Sequence, residues 1–398
     1  MKQLSLTDTV FIGLAAMLGA GVFVVFGPAA ALSGSGLPLA IFLAALVAYL
    51  NAGSVAQLAR TVSRSGGGYA YARTYISTNF SFLAGAAFLL GKIGSSAAIA
   101  LTVGAYATPQ FAPITAVLSV VVMTAINLAG INRTALGSKV LATITISFLL
   151  LLFVASIALP NQPQVTTTGN AVGIFSAAAL FFFAFAGYAR VATLGGEVKN
   201  AEQTVPRAIW MSLAAVFGIY LSYALLLSNK LGVQLILTVT PLADLAAKTW
   251  IGGEIVWLFT AVAGLGSLLA LLAGMSRTAA EMSVDRELPK IFSKRLSNQA
   301  PVVAEISIAI LVIVLITRES ILLTLGLSSF AVLLYYAIVN FAAFRQPLSE
   351  TDRPKFLNLA GLALCFLLAL SVPIEGLVLG VAVLTAAMLI RWGLRAAR

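Results

Sequence analysis

Long apolar stretches alternate with short polar ones along the whole chain. Bounded by charge, Pro or Gly, they cover about 8–33, 37–59, 80–108, 113–131, 136–159, 171–195, 206–228, 253–276, 301–317, 320–344, 356–371 and 373–391. Each is close to the ~20 residues that a helix needs to cross a hydrocarbon core, so twelve transmembrane helices are predicted. The last two are divided only by Pro373 and read as a hairpin turning at Ser371-Val372-Pro373. A membrane β-barrel would instead show segments of ~10 residues with alternating polarity, and these runs are far too long for that.

Composition agrees and then excludes. The 398-residue chain is 60% hydrophobic and 9% charged, against roughly 25% charged in a soluble domain. Twelve helices of about 22 residues use about 264 and leave about 12 for each connection, which gives no room for a soluble catalytic domain. With no His and a single Cys365, the chain lacks the parts of a disulfide, a Cys/His metal cluster or a Ser/His/Asp site. No Gly-x-x-x-x-Gly-Lys-[Ser/Thr] motif is present, so this chain alone is not a nucleotide-driven pump.

The net charge of +11 is scattered over connections and not gathered with aromatics on one face, which argues against nucleic acid. It reads as orientation. Placing the N-terminus in the cytoplasm puts 19 of the 24 Lys and Arg on that side. Lys230, Lys248 and Arg318 then fall outside, and Lys92 and Arg190 within spans. Both termini are therefore expected in the cytoplasm of a multi-pass cell-membrane protein.

Two spans contain candidate breaks. Span 1 carries Gly19-Ala20-Gly21 near its middle, and span 6 carries Phe181-Phe182-Phe183-Ala184-Phe185-Ala186-Gly187-Tyr188. A Gly-x-Gly in a membrane helix is by itself more often a close-packing face, and an aromatic run more often lipid-facing or core filler. Their coincidence in the first helix of spans 1–5 and the first helix of spans 6–10 favours inverted repeats with a substrate site between them. Unpaired backbone groups at such depth are tolerated only where they line an enclosed cavity.

The chain resembles the amino acid-polyamine-organocation (APC) permeases. The resembling residues are Gly19-Ala20-Gly21-Val22-Phe23; Ala56-Gln57-Leu58-Ala59-Arg60 with Ser65-Gly66-Gly67-Gly68-Tyr69; Phe182-Phe183-Ala184-Phe185-Ala186-Gly187 with Glu197-Val198-Lys199-Asn200; and Met275-Ser276-Arg277 with Asp285-Arg286-Glu287-Leu288-Pro289. Together they run from about residue 8 to 346. The resemblance implies an all-α membrane protein of the LeuT-type fold, with helices 1 and 6 discontinuous. It divides the chain into a first five-helix repeat at 1–159, an inverted second repeat at 160–346, and two additional helices at 347–398.

For the site, the resemblance implies that amides of Gly19, Ala20 and Gly21 receive a substrate carboxylate. A helix N-terminus favours an anion on physical grounds as well. The amino group is expected at carbonyls of Leu18, Phe183, Ala184 and Ala186. Phe183 is similar to the family's aromatic gate, with space filling as the competing reading. Glu197, Lys199 and Arg207 are candidates for an inner ion-pair gate, with ordinary loop solvation and a helix start at Pro206 as the alternative.

Coupling is where the chain departs from its relatives. Many carry a lysine in span 5 at a position that looks equivalent to Thr145, and sodium-coupled ones place two hydroxyls on span 8. Here span 8 offers Ser267, with Thr260 two turns away, which is a poor sodium cage. Gln57 stands where the span 2 motif usually has Glu. Lys92 lies about 12 residues into span 3, roughly 18 Å along a 30 Å core, with no Asp or Glu in the central part of any span. Three roles stay open for it: proton coupling together with Arg190, binding of an acidic substrate side chain, or a structural niche. The reading is a secondary active transporter of amino acids working by alternating access with proton-coupled uptake. An exporter or exchanger is the alternative, and a channel is disfavoured because the polar features gather at two breaks and not in a ring. No enzyme activity, cofactor or obligatory protein partner is expected, only an amino acid substrate and membrane lipid. Polyamines are disfavoured by the lack of acidic partners.

Overall fold

A computed structural model of the chain describes residues 4–19, 21–62, 66–129, 135–165, 169–188, 191, 198–296, 300–351 and 353–396. The helices among them are α1 (Leu6–Leu18), α2 (Gly21–Val24), α3 (Phe26–Ser33), α4 (Leu37–Ala59), α5 (Gly68–Tyr75), α6 (Thr78–Ala107), α7 (Ala112–Leu128) and α8 (Ala135–Ile157). They continue as α9 (Ala171–Phe185), α10 (Ala201–Leu231), α11 (Pro241–Ala247), α12 (Val256–Val284), α13 (Val302–Ile316), α14 (Ile321–Arg345), α15 (Lys355–Leu370) and α16 (Ile374–Ala396). The described residues hold no β-strand, only one isolated parallel bridge between Leu4 and Val198.

Ten helical stretches are long and apolar enough to cross a membrane, and α13 and α15 are shorter apolar helices. The chain is an integral membrane protein. Helix starts follow capping chemistry. Ser5 and Asp8 form a capping box ahead of α1, and Ser77, Asn170 and Ser320 accept amide hydrogens at the starts of α6, α9 and α14. One expected start is corrected. The helix anticipated at Pro206 begins at Ala201, with Pro206 inside α10. As the sixth residue, Pro206 lies past the four unpaired amides and forfeits one i to i−4 bond, while Gln203 N and Thr204 N already donate to the Asn200 carbonyl and carry the helix start upstream of it.

The centre of the bundle is built on α6 and α14, each 78% buried along its apolar window, against 22% for α7 and α16. Lipid tails are as apolar as Leu, so close backbone approach and hydrogen bonds must hold such helices together. Gly91 and Gly94 of α6 lie against Val332 and Ser328 of α14, and the hydroxyls of Ser95 and Ser328 meet at 2.7 Å. On other sides α4 packs on α9, α1 on α10 and α8, and α15 on α14.

Candidate substrate site at two broken helices

Both candidate breaks are real departures from α-helix. α1 ends at Leu18, and Gly19 follows at φ −49, ψ −101. Val25 N donates to the Gly21 carbonyl at 3.2 Å and Ala29 N to that of Val25 at 3.0 Å, so α2 and α3 join into one rod from Gly21 to Ser33. In span 6, α9 ends at Phe185 and tightens into a 3-10 turn over Ala186–Tyr188. The break thus falls at the end of the aromatic run and not inside it.

The structure brings the two breaks into contact. A Cβ on Gly21 would lie 2.7 Å from Ala184 Cβ, and one on Gly187 would overlap the Ala16 carbonyl oxygen and lie 2.7 Å from Met17 N. Tyr220 of α10 ties them further, its hydroxyl donating to the Met17 carbonyl at 2.7 Å and lying 3.3 Å from that of Ala184. Beyond the break, the Tyr106 hydroxyl donates to the Phe23 carbonyl at 2.8 Å. Backbone freed by leaving the helix is therefore partly claimed by two tyrosines, as the membrane interior demands.

Leu18, Gly19, Gly21, Ala184 and Ala186 are all buried at this junction. Phe183 is half-buried, unlike its fully buried neighbours Phe182 and Phe185. Leu18, Gly19, Thr145 and Ser267 line one cavity of about 20 Å³ beside the span 1 break, room for a single water-sized species. Within it, the Thr145 and Ser267 hydroxyls donate at 3.0 Å to their own helices, at Leu141 and Ala263, and Ser267 Oγ presses on Gly19. Thr145 and Ser267, both named from the sequence on separate helices, thus line the same cavity.

Lys92 is not among that lining. On α6 it shares a helical face with Phe88, whose ring meets Tyr335 of α14, and with Ile99, which packs beside Gly264 of α12. Its side chain is half-buried, and its ammonium stands 6.0 Å from the Phe88 ring centroid, with no hydrogen bond or ion pair among the described residues. Arg207 is exposed and likewise has no ion pair among them. Ala20, Arg190 and Glu197 lie outside the described residues.

Several functional candidates were missed. Asp8 of α1 and Lys139 of α8 pair at 3.6 Å beside the N-terminal end of span 1. Both are partly exposed, so the pair is worth only ~0–1 kcal/mol and can open easily. Tyr220 carried no signal in the sequence beyond its place in an apolar run. Glu305 of α13, counted above as near a span end, is buried and held by Asn127 Nδ2 at 2.8 Å. In the connecting helix α5, Tyr69 donates to Asp285 at 2.8 Å, beside the Arg73–Asp285 pair at 2.9 Å. Burial first, then the Asp285 carboxylate, push the Tyr69 phenol up to about 12, so it remains a donor.

Gln57 sits in a neutral amide network. Its Nε2 donates to the Ala343 carbonyl at 3.0 Å and to Gln346 Oε1 at 2.8 Å, and its Oε1 accepts from Asn358 Nδ2 at 3.2 Å. Gln57→Glu would point a second acceptor at two acceptors. It should cost ~1–3 kcal/mol and lower the thermal unfolding midpoint in detergent, with a smaller deficit at acidic pH where a protonated carboxyl again donates. An unchanged midpoint would show that the network is not tight.

The amino acid permease family model matches residues 4–390. The chain belongs to the amino acid permease family, within the APC superfamily. An uncharacterized transporter of Mycobacterium tuberculosis is 40% identical over 96% of this chain and 89% of its own length. The branched-chain amino acid permease of Bacillus subtilis is 27% identical over 74% and 69%. A chloroplastic cationic amino acid transporter of Arabidopsis thaliana is 26% identical over 85% and 64%. This permease is a membrane transporter and not an enzyme.

Proposed function

We propose that this permease carries α-amino acids across the cell membrane by alternating access, with uptake driven by protons. The contact of the two broken helices through Gly21, Ala184 and Gly187 carries that reading. Amides at Gly19–Gly21 and the positive end of the α2–α3 rod suit a carboxylate. Carbonyls of Leu18, Phe183, Ala184 and Ala186 suit an ammonium. The named relatives differ in side-chain preference, cationic in one and branched-chain in another, and share the amino acid backbone as the common element. None of the residues forming the breaks is acidic, which favours neutral side chains over cationic ones.

Ten long and two shorter apolar helices support twelve spans, arranged as repeats at 1–159 and 160–346 with two further helices at 347–398. The charge distribution supports cytoplasmic termini. In this scheme Lys92, with no counter-ion among the described residues, carries the coupling proton, and the small cavity at Thr145 and Ser267 is the place where relatives keep a cation. Export or exchange uses the same site and is separated from uptake only by transport assay.

The test is uptake of labelled amino acids into proteoliposomes in sodium-free buffer, with and without an inward proton gradient. Accumulation only with the gradient is expected, and Lys92→Gln should lose uphill accumulation while keeping exchange against preloaded substrate. Movement only with preloaded substrate would establish an exchanger. An unchanged pH profile in Lys92→Gln would remove that lysine from coupling.

A further inference from the structure

A second, larger cavity lies away from the broken helices, between α4, α10 and the connection from α14 to α15. It measures about 260 Å³ and is lined by Gly53, Arg60, Trp210, Glu350 and Arg353 among others. This is smaller than the roughly 300–1,000 Å³ of pockets for drug-sized ligands. Two guanidiniums and one carboxylate face it. Glu350 is already engaged, accepting from the Tyr75 hydroxyl at 2.6 Å. Neither Arg60 nor Arg353 has an ion pair among the described residues.

Arg353 is held in an unusual position. Its guanidinium lies directly on Gly53, where a Cβ would overlap it, and Nη2 donates to the Leu50 carbonyl at 3.0 Å. Nη1 is buried with no hydrogen-bond partner. Burial pulls the group below its usual range, the sign of a charge that lacks compensation where it sits. An anion in the adjoining cavity would supply it.

The surroundings indicate which anion. α4 presents Leu39, Phe42, Leu46 and Tyr49 as an exposed stripe at helical spacing, ending at the cavity. α10 lines the other side, with Phe42 and Phe217 6.5 Å apart and Tyr49 and Trp210 4.5 Å apart between ring centroids. An exposed apolar stripe on a membrane-spanning helix thus runs to a basic cavity at the end of the bundle where Lys and Arg are in excess. Paired Tyr49 and Trp210 are amphipathic rings of the kind enriched at the level of lipid headgroups.

We propose that this cavity binds the phosphate of an anionic phospholipid of the cytoplasmic leaflet, with Arg353 and Arg60 on the headgroup and an acyl chain along the Leu39–Tyr49 stripe. Basic pockets between membrane helices on this side are suited to such headgroups. The occupant wedges α4 against α10 and the α14–α15 connection, so lipid composition sets the stability of this corner.

The full-length permease in detergent is titrated with phosphatidylglycerol, phosphatidylcholine or inorganic phosphate while its thermal unfolding midpoint is followed. Phosphatidylglycerol is expected to raise the midpoint by several degrees more than phosphatidylcholine, and inorganic phosphate to do nothing. Arg60→Gln, an exposed site, should roughly halve that increment, and Arg353→Gln should remove it whatever its own starting midpoint. Arg318→Gln, in another connection, should retain it. Equal increments from both lipids, or full increments in both cavity variants, would overturn the proposal. An equal increment from inorganic phosphate would make this a soluble-anion site and overturn the lipid assignment.

Discussion

Gly187→Ala is expected to lower amino acid uptake at least about tenfold with the protein still in the membrane. A single methyl at this position would overlap the Ala16 carbonyl oxygen and lie 2.5 Å from its carbon and 2.7 Å from Met17 N. All three are backbone atoms, so no rotamer change relieves the overlap, and spans 1 and 6 must separate. Overpacking of this kind costs ~1–3 kcal/mol, and 1.4 kcal/mol is a factor of ten in an equilibrium. Gly218→Ala on α10 is the matched control, since nothing lies within 4 Å of its added Cβ. Its uptake should stay within about twofold of the parent. If Gly187→Ala transports normally, the two breaks do not form one site.

The second large effect is expected at Arg391. Its guanidinium, 3% exposed, meets the fully buried Glu287 carboxylate at 2.7 Å and donates to Asn79 Oδ1 at 2.7 Å. This ties α16 to the loop after α12 and to the start of α6. Removing one partner of a buried pair leaves the other uncompensated and costs ~3–5 kcal/mol. Arg391→Met should therefore lower the yield of folded protein and its unfolding midpoint sharply, with only partial relief from Arg395, which also reaches Glu287 at 2.7 Å. Glu287→Leu combined with Arg391→Met should recover most of the loss, because replacing both charges removes the desolvation cost as well. A double variant as unstable as Arg391→Met alone would show that packing, not charge, is at stake.

Most of the architecture was legible because bilayer thickness imposes its own period on the sequence. Each predicted apolar stretch contains helix among the described residues, with 8–33 divided over α1, α2 and α3 and the α-helix of 171–195 ending at Phe185, down to the α15–α16 hairpin at Pro373. The breaks were legible for a similar reason. Gly19 and Gly21 stand where a continuous helix would be cheaper, and the aromatic run ends at Ala186-Gly187. What could not be read is what meets across the bundle. Tyr220 lies 203 residues from the Met17 carbonyl it serves, and Glu287 104 residues from Arg391. Nothing in the local pattern of either segment names its partner. Gln57 reads in sequence as a lost protonatable group, and in three dimensions as the centre of an amide network. Lys92 was visible as an anomaly from its depth alone. Its separation from the Thr145–Ser267 cavity required the coordinates, because it depends on which face of α6 turns toward α12 and α14.

The central claim is that the two breaks hold both ends of an amino acid. Equilibrium binding to the purified permease tests it most directly, using the best-transported L-amino acid, its methyl ester, which lacks the carboxylate, and the corresponding carboxylic acid without the amino group. Tight binding of the amino acid alone, with the ester and the deamino acid each weakened at least about tenfold, is the predicted result. Each analogue would leave a different end of the site unpaired in a buried setting. Equal affinity for the ester or the deamino acid would contradict the account and move the substrate site away from Gly19–Gly21 and Ala184–Ala186.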